Sequence, residues 1–140
     1  MAQISSVMTA RPAACSGDTP VATVAQLMID NDCGEIPVVD GAGHPVGVIT
    51  DRDIVVRLIA SGRDVRDARA SDAMSQPVHT VAETDELGDC VRLMESERIR
   101  RVPVVDSLGR LSGIVSLADI ARANKDEATV DVIKEVSRPT

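Results

Sequence analysis

The sequence predicts a mixed α/β protein built from two copies of one β-α-β-β-α unit and followed by a C-terminal helix. The stretch 47–54, which reads GVITDRDI, recurs sixty-six residues later as GIVSLADI at 113–120. Twelve positions between Ser5 and Ile54 are identical at this offset, and they cluster where structural elements are predicted. Clustered identity at one fixed offset indicates a tandem duplication.

Each copy is predicted to begin with a short lead-in, 5–8 or 71–74, and in the first copy a strand at 12–15 follows. Thr19 before Pro20 is typical of a helix N-cap with proline at the first helical position. Asp85 takes the capping position in the second copy. Both helices have apolar residues at i, i+3, i+4 and i+7, which predicts one buried face in each: Val21, Val24, Ala25 and Met28, and Leu87, Cys90, Val91 and Met94.

A β-hairpin is predicted after each helix. The first hairpin has strands at 35–40 and 45–50, and the second has strands at 101–105 and 111–115. Pro37 cannot donate to a strand ladder, so we place it at a strand start or on a sheet edge. Each hairpin continues into a helix, at 51–60 and 117–124, and the first of these helices is predicted to bury Ile54, Val55, Leu58 and Ile59.

The predicted domain boundaries are 1–62 for the first copy, 63–124 for the second and 125–140 for a helical tail. Each copy has about 65 residues, so we expect the two to share one hydrophobic core. Within the tail, the segment 127–136 is predicted to be helical, and Val130, Ile133 and Val136 form an apolar stripe. This stripe either folds back on its own chain or packs across a dimer.

Composition excludes several classes of partner. The chain is 44% apolar and 26% charged, with a formal net charge of −7 and no Phe, Trp or Tyr. Nucleic-acid binding needs cationic side chains on phosphates, and single-stranded bases are gripped by aromatic side chains. The sequence also has no long apolar run and no signal-peptide pattern at its start. We therefore expect a cytoplasmic protein that binds neither nucleic acid nor membrane.

Metal and catalytic sites are not predicted. The three cysteines lack CxxC spacing, and His44 and His79 are isolated from other potential ligands. Cys15 and Cys33 are either two free thiols or a redox-dependent bridge. No nucleophile elbow, Walker loop or nucleophile–base pair is visible, so we predict neither enzymatic activity nor a required cofactor.

The repeated hydroxyl-x-x-Asp motif has two interpretations. Thr50 and Asp53, like Ser116 and Asp119, have the spacing of a helix capping box, which needs no ligand. The same geometry also suits a nucleotide, because a helix N-terminus with a hydroxyl can hold a phosphate and an Asp one turn later can accept from a ribose diol. The glycines at 47 and 113 would let a ligand approach the backbone closely.

Two complete copies that each carry an apolar-Pro-Val-Val-Asp strand and then Gly-h-h-[ST]-x-x-[DN], where h is an apolar residue, resemble a tandem pair of CBS domains. The resemblance covers about 5–124. It implies a pair with pseudo-two-fold symmetry, a homodimer, and two clefts between the repeats that take adenosine-containing ligands. AMP, ADP, ATP and S-adenosylmethionine are the ligands it implies, AMP or ATP first.

By this resemblance the hydroxyls of Thr50 and Ser116 would face phosphate, and Asp53 and Asp119 would face ribose. Adenine would lie against two short apolar runs, namely Ile36, Pro37 and Val38 in one cleft and Val102, Pro103 and Val104 in the other.

The chain has one local cluster of basic residues, Arg98, Arg100 and Arg101. The cluster either forms a solvated, ion-paired face or provides a phosphate contact, for which Arg101 is the candidate. Because the first copy has Gly34 and Glu35 at the matching positions, the two clefts should differ in charge.

Two functional hypotheses follow. The first is a regulatory module that senses an adenine nucleotide and acts in trans on a protein partner or as a homodimer. The second is a structural or stress-associated dimer with empty clefts. An enzyme is a weaker third.

Overall fold

The computed structural model describes residues 2–123, so the predicted tail at 125–140, with Val130, Ile133 and Val136, lies outside the described residues. The described chain forms two compact units. One unit is Ala13–Val78, and the other joins the chain up to Pro12 to the chain from His79 onward. The mixed α/β fold with repeated units is therefore confirmed. The boundaries at 62 and 124 remain predictions about the sequence repeats.

The unit Ala13–Val78 contains a three-stranded sheet in the order β2-β3-β4. Strands β2 and β3 are parallel, and β3 and β4 form the predicted antiparallel hairpin. A short helix, α2, follows β4 directly and continues as a π-helix. The elements are β2 (Cys15–Ser16), α1 (Val21–Asp30), β3 (Glu35–Val39), β4 (Pro45–Thr50), α2 (Asp51–Asp53), the π-helix (Ile54–Ile59) and α3 (Ala70–Ala73).

The other unit contains a four-stranded sheet in the order β1-β7-β6-β5. Strands β5 and β6 are parallel, as β2 and β3 are, and β6 and β7 form the second hairpin. The elements are a 3-10 turn (Ile4–Ser6), β1 (Thr9–Ala10), β5 (Val81–Ala82), α4 (Leu87–Glu97), β6 (Arg101–Val105), β7 (Leu111–Ser116) and α5 (Leu117–Ala123).

The lead-in of each copy, which in the structure extends over 4–9 or 70–75, belongs to the unit that holds the other copy. Thr9 pairs with Ile114 of β7, and Ser75 exchanges two backbone hydrogen bonds with Val48 of β4, at 3.2 and 2.7 Å. The repeated glycines lie beside these lead-ins. A Cβ on Gly47 would lie 2.9 Å from the Ser75 carbonyl oxygen, and a Cβ on Gly113 would meet the Met8 side chain. Gly47 and Gly113 were predicted to let a ligand come close to the backbone, but in the structure the lead-ins occupy that space.

Each unit has its own hydrophobic core, so the prediction of one shared core is wrong. The lead-ins explain the difference, because each adds apolar side chains to the unit it joins: Ile4 is fully buried in one core, and Ala70 and Ala73 in the other. The predicted helix faces are otherwise confirmed, with Val24 and Met94 fully buried. Each unit thereby buries more surface than its repeat could alone.

Pro37 lies in the middle of a central strand, not at a strand start or sheet edge as predicted. It pairs with Val48 in the β3–β4 ladder, and both backbone polar groups of Val48 bond to Ser75. Pro37 therefore occupies a non-hydrogen-bonded position, with its nitrogen turned toward the β2 side. Strand β2 reaches only Val38 and Val39, so the missing N–H leaves no ladder bond unmade.

The two predicted helix caps close the preceding turns instead. Thr19 Oγ1 accepts a hydrogen bond from the Ser16 N–H at 3.0 Å, and Asp85 accepts the matching one from Ala82 at 2.9 Å. Both helices start one residue later than predicted, with no side-chain cap. The Val21 N–H, an orphan donor at the helix start, is satisfied by the Ala68 carbonyl.

The helix after β4 does not bury the predicted face. Leu58 is fully buried and Ile54 half-buried, but Val55 and Ile59 are 53% and 57% exposed. The physical reason is the π-helical turn at Ile54–Ile59, which has more residues per turn than an α-helix and so shifts the apolar positions around the axis. Val56 is exposed as well, and this apolar surface of Val55, Val56 and Ile59 is named the π-helix face below.

All three cysteines are unbridged. Burial raises the pKa of the Cys15 thiol to about 11, and burial with a nearby Asp85 charge raises that of Cys90 to about 12. Both thiols are therefore neutral at physiological pH. Cys90 packs as a small apolar residue where the first copy has Val24, as predicted.

Candidate functional site

The first copy of the motif forms a complete capping box. Asp53 N–H donates to Thr50 Oγ1 at 3.0 Å, and Thr50 N–H donates to Asp53 Oδ2 at 2.9 Å. Asp53 Oδ1 accepts from the Ser75 hydroxyl at 3.1 Å and lies 3.5 Å from Arg57 Nε. Its side chain is 14% exposed. The capping interpretation is therefore confirmed for this copy, and the carboxylate has further partners from its own unit.

The second copy repeats the reciprocal bonds. Asp119 N–H donates to Ser116 Oγ at 3.0 Å, and Ser116 N–H donates to Asp119 Oδ2 at 3.1 Å. Asp119 Oδ1 pairs with Arg122, whose side chain is 73% exposed. The two boxes are alike, but the partners of the second carboxylate oxygen differ. On Asp53 that oxygen contacts the half-buried Ser75 hydroxyl and Arg57, whereas on Asp119, within the described residues, it pairs with the solvent-exposed Arg122.

A cavity of about 660 Å³ opens beside the second motif. Its volume is within the range of small-molecule sites, about 300–1,000 Å³. Of the predicted site residues, Arg101 and Ser116 line it. The complete lining is Arg100, Arg101, Ser116, Leu117, Ala118, Ala121 and Arg122, so three arginines line one small volume. Such a cavity suits an anionic group, because arginine binds phosphate and carboxylate oxygens through paired N–H donors.

Local backbone structure places these arginines. Helix α4 ends at Glu97, and the next residue, Arg98, has φ 55° and turns the chain sharply. The Arg100 carbonyl then accepts the Leu117 N–H at 2.7 Å, and Arg101 lies opposite Ser116 in the β6–β7 ladder. The start of β6 and the start of α5 are therefore held together, with the two arginines beside the motif hydroxyl.

The same frame in the first copy carries acidic side chains. The Gly34 carbonyl accepts the Asp51 N–H at 3.0 Å, and Glu35 lies opposite Thr50. Gly34 and Glu35 replace the two arginines, and Asp51 replaces Leu117. A Cβ on Gly34 would lie 3.1 Å from an Asp51 carboxylate oxygen, so the space between Gly34 and Asp51 is also tightly filled. The matched positions consequently differ in charge, acidic in the first copy and basic in the second.

The strand residues predicted to contact adenine are buried in this structure. Ile36 and Val38 belong to the core of one unit, and Val102 and Val104 to that of the other. Pro37 and Pro103, on the opposite strand faces, are buried too. Their assignment to adenine remains a prediction.

Sequence analysis missed three side chains that contact the motif carboxylates, namely Arg57, Ser75 and Arg122. The two arginines follow their aspartates by four and three residues, so helical spacing was an available signal. Ser75 comes from twenty-two residues away, and only the packing of the second lead-in against β4 brings it there.

Comparison with known proteins agrees with this architecture. The family model for the CBS domain matches residues 4–60 and 70–126, which is most of the chain. The chain belongs to the CBS domain family. Its two motifs are thus the repeated motifs of a CBS pair, as the resemblance implied.

Curated relatives include other proteins with this domain. Hypoxic response protein 1 of Mycobacterium tuberculosis is 35% identical over 126 residues, which are 89% of this chain and 87% of the relative. An uncharacterized protein of Methanopyrus kandleri is 40% identical over 97 residues, 69% of this chain. The matched region spans 50% of that longer protein.

Solved structures of CBS pairs match the fold. Hypoxic Response Protein I, solved with two coordinated zinc ions, has a TM-score of 0.82 at 31% identity and covers 88% of this chain and 99% of its own. CBSX2 of Arabidopsis thaliana in complex with AMP has a TM-score of 0.75 at 26% identity, covering 88% and 96%. The CBS pair of protein MJ0100, solved with 5-methylthioadenosine and S-adenosyl-L-methionine, scores 0.76 at 26% identity, covering 88% and 95%.

The described residues contain neither a metal-site cluster nor a helix able to span a membrane. Between residues 2 and 123, no three His, Cys, Asp or Glu side chains are grouped as a metal site would require. Over the same span, none of the helices has the length and apolar character needed to cross a membrane.

Proposed function

We propose that this CBS pair is a regulatory module that binds an adenine nucleotide at the Ser116–Asp119 motif and acts in trans or as a cytoplasmic homodimer. The observation that carries the proposal is the arginine-lined cavity beside Ser116. Proteins of the same fold have been solved with AMP and with S-adenosyl-L-methionine, which supports an adenosine-containing ligand. Two features, a carboxylate for ribose and guanidinium groups for phosphate, lie together at this motif.

Arg122 could couple nucleotide binding to a conformational change of the protein. In the structure it pairs with Asp119 Oδ1 while also lining the cavity. A ribose hydroxyl donating to Asp119 and a phosphate near Arg122 would each replace half of that ion pair. A ligand shifts an equilibrium only through its differential affinity for two states. We propose that the exchanged pair supplies this difference, which a protein partner then detects.

Calorimetric titration of nucleotide-free protein with AMP, ADP, ATP and S-adenosylmethionine tests the function. We expect saturable binding of at least one phosphate-bearing nucleotide. Asp53→Ala combined with Asp119→Ala should abolish it, because the ribose acceptors are lost. Asp106→Ala, a hairpin-turn carboxylate bonded to Leu108 and Arg110 N–H groups, controls for the loss of an acidic side chain. Absence of heat at millimolar ligand, with folded protein, would refute the proposal.

The homodimer is supported by the π-helix face. Val55, Val56 and Ile59 are about half exposed on one turn, and clustered apolar surface of this kind marks interaction sites. We expect sedimentation equilibrium to give twice the chain mass. Ile59→Glu should convert the protein to monomer, whereas Leu108→Glu, on an exposed hairpin turn, should not. A wild-type monomer would contradict this proposal.

One observation favours the alternative, a scaffold dimer with no nucleotide role. Both capping boxes are complete without any ligand, so the motif residues have a structural role of their own. The titration separates the two functions, because the scaffold predicts no binding and an unchanged melting temperature with nucleotide. In the scaffold case, the double Asp variant would still lower stability through lost caps.

A further inference from the structure

We infer that Ser75 closes the first copy's motif to adenosyl ligands, so that the wild-type chain offers one nucleotide site and not two. This inference rests on the proposed function and names a residue that sets the specificity of the paired sites. Ser75 is half-buried on the lead-in that packs against β4. Its hydroxyl donates to Asp53 Oδ1 at 3.1 Å, as a ribose hydroxyl would.

The acceptor capacity of Asp53 shows why this contact matters. A carboxylate has about four acceptor positions, two on each oxygen. On Asp53, Oδ2 accepts the Thr50 N–H and Oδ1 accepts the Ser75 hydroxyl, while Arg57 Nε lies 3.5 Å from Oδ1 as an ion pair. Arg57 Nη2 also lies 3.4 Å from Ser75 Oγ, so the three side chains form a closed cluster. A ribose diol needs one position on each oxygen, and at Oδ1 its hydroxyl would meet the Ser75 hydroxyl, which the Ser75–Val48 backbone hydrogen bonds hold in place, and the Arg57 side chain.

Asp119 keeps both positions. In the described part of the chain, its Oδ2 accepts the Ser116 N–H and its Oδ1 pairs only with Arg122. The residue equivalent to Ser75 is Thr9, which is exposed and, among residues 2–123, makes no hydrogen bond to Asp119. Each carboxylate oxygen of Asp119 therefore retains one acceptor position for a diol. The two motifs share a backbone frame but differ in whether a ligand can enter.

Charge defines the ligand that the first site would accept once opened. Glu35 and Asp51 stand where the second copy has Arg101 and Leu117. A phosphate placed there would meet carboxylates, which repel it. Adenosine has the ribose diol without the phosphate, so the opened first site should prefer adenosine or another uncharged adenosyl compound. AMP should remain restricted to the arginine-lined second site.

The test counts ligands on the intact chain. With the second site saturated by AMP, adenosine is titrated into wild-type protein and into Ser75→Ala. We expect no further binding to wild type and one adenosine per chain in the variant, with adenosine affinity at the first site raised about 10- to 100-fold by removal of the competing hydroxyl. Thr9→Ala is the matched control at the equivalent position and should resemble wild type.

The outcomes separate the inference from the function. Adenosine binding to AMP-saturated wild type, or no adenosine binding to folded Ser75→Ala, overturns the inference. Failure of wild type to bind AMP overturns the proposed function instead, and the adenosine gain in Ser75→Ala is then measured without AMP. If Ser75→Ala does not fold, Ser75→Cys provides the comparison, because its weak S–H donor should give an intermediate gain.

Discussion

Gly47→Ala is expected to lower the free energy of unfolding by about 1–3 kcal/mol, the usual cost of forcing an extra carbon into a packed site. An alanine in a strand ordinarily stabilises relative to glycine, so the sign is reversed here. The new Cβ would lie 2.9 Å from the Ser75 carbonyl oxygen and 3.0 Å from Met74 Sδ. The backbone oxygen cannot move away, because the Ser75–Val48 hydrogen bonds hold it.

Urea denaturation of Gly47→Ala beside Gly41→Ala measures this effect. Gly41 lies in the hairpin turn with nothing within 4 Å of its added Cβ, so its variant should unfold at the wild-type urea concentration. Equal midpoints for the two variants would mean that the second lead-in does not pack on β4 as described.

Gly113→Ala extends the comparison to the other unit. Its Cβ would meet the Met8 side chain, and it would lie 3.0 Å from the Thr9 carbonyl oxygen. A methionine side chain is flexible, so trimming it relieves part of the conflict. The combination of Gly113→Ala with Met8→Ala should therefore cost less than the sum of the single changes. Gly47→Ala with Met74→Ala should be closer to additive, because a backbone oxygen limits that site.

Sequence analysis correctly predicted those parts of the fold that depend on residues close together in the sequence. The strands at 45–50 and 101–105 match the structure, because both are rich in β-branched residues and a hairpin turn with a glycine lies next to each. The capping boxes were predicted from a spacing of three residues, and the structure contains both. The difference in charge between the two motif regions is also visible in the sequence, where Glu35 and Arg101 occupy matching positions.

The features that sequence analysis missed depend on contacts distant in sequence. Nothing in the lead-ins themselves shows that each joins the unit of the other copy. The role of Gly47 was consequently assigned to a ligand, although Met74 and Ser75 fill the space beside it. Pro37 is tolerated in a central strand only because β2 is two residues long. The π-helical turn that exposes Ile59 likewise contains no proline or glycine from which it could have been predicted.

The second large effect concerns the arginines of the cavity. Arg100→Gln combined with Arg101→Gln should lower ATP affinity about 100-fold, because each lost hydrogen bond to a charged group is worth about tenfold or more. Adenosine affinity should stay at the wild-type value, since adenosine carries no phosphate. The fold should survive, because both side chains are exposed and the Arg100 carbonyl still accepts the Leu117 N–H.

Arg110→Gln controls for the change in net charge, since Arg110 pairs with Asp106 on the hairpin turn and does not line the cavity. If contact with phosphate is the cause, the control should retain ATP affinity, and the double variant should also lose most of the salt dependence of ATP binding. Equal losses of ATP affinity in the double variant and in Arg110→Gln would mean that general charge attracts the nucleotide. Equal losses of ATP and adenosine affinity would mean that the arginines shape the cavity and do not bind phosphate.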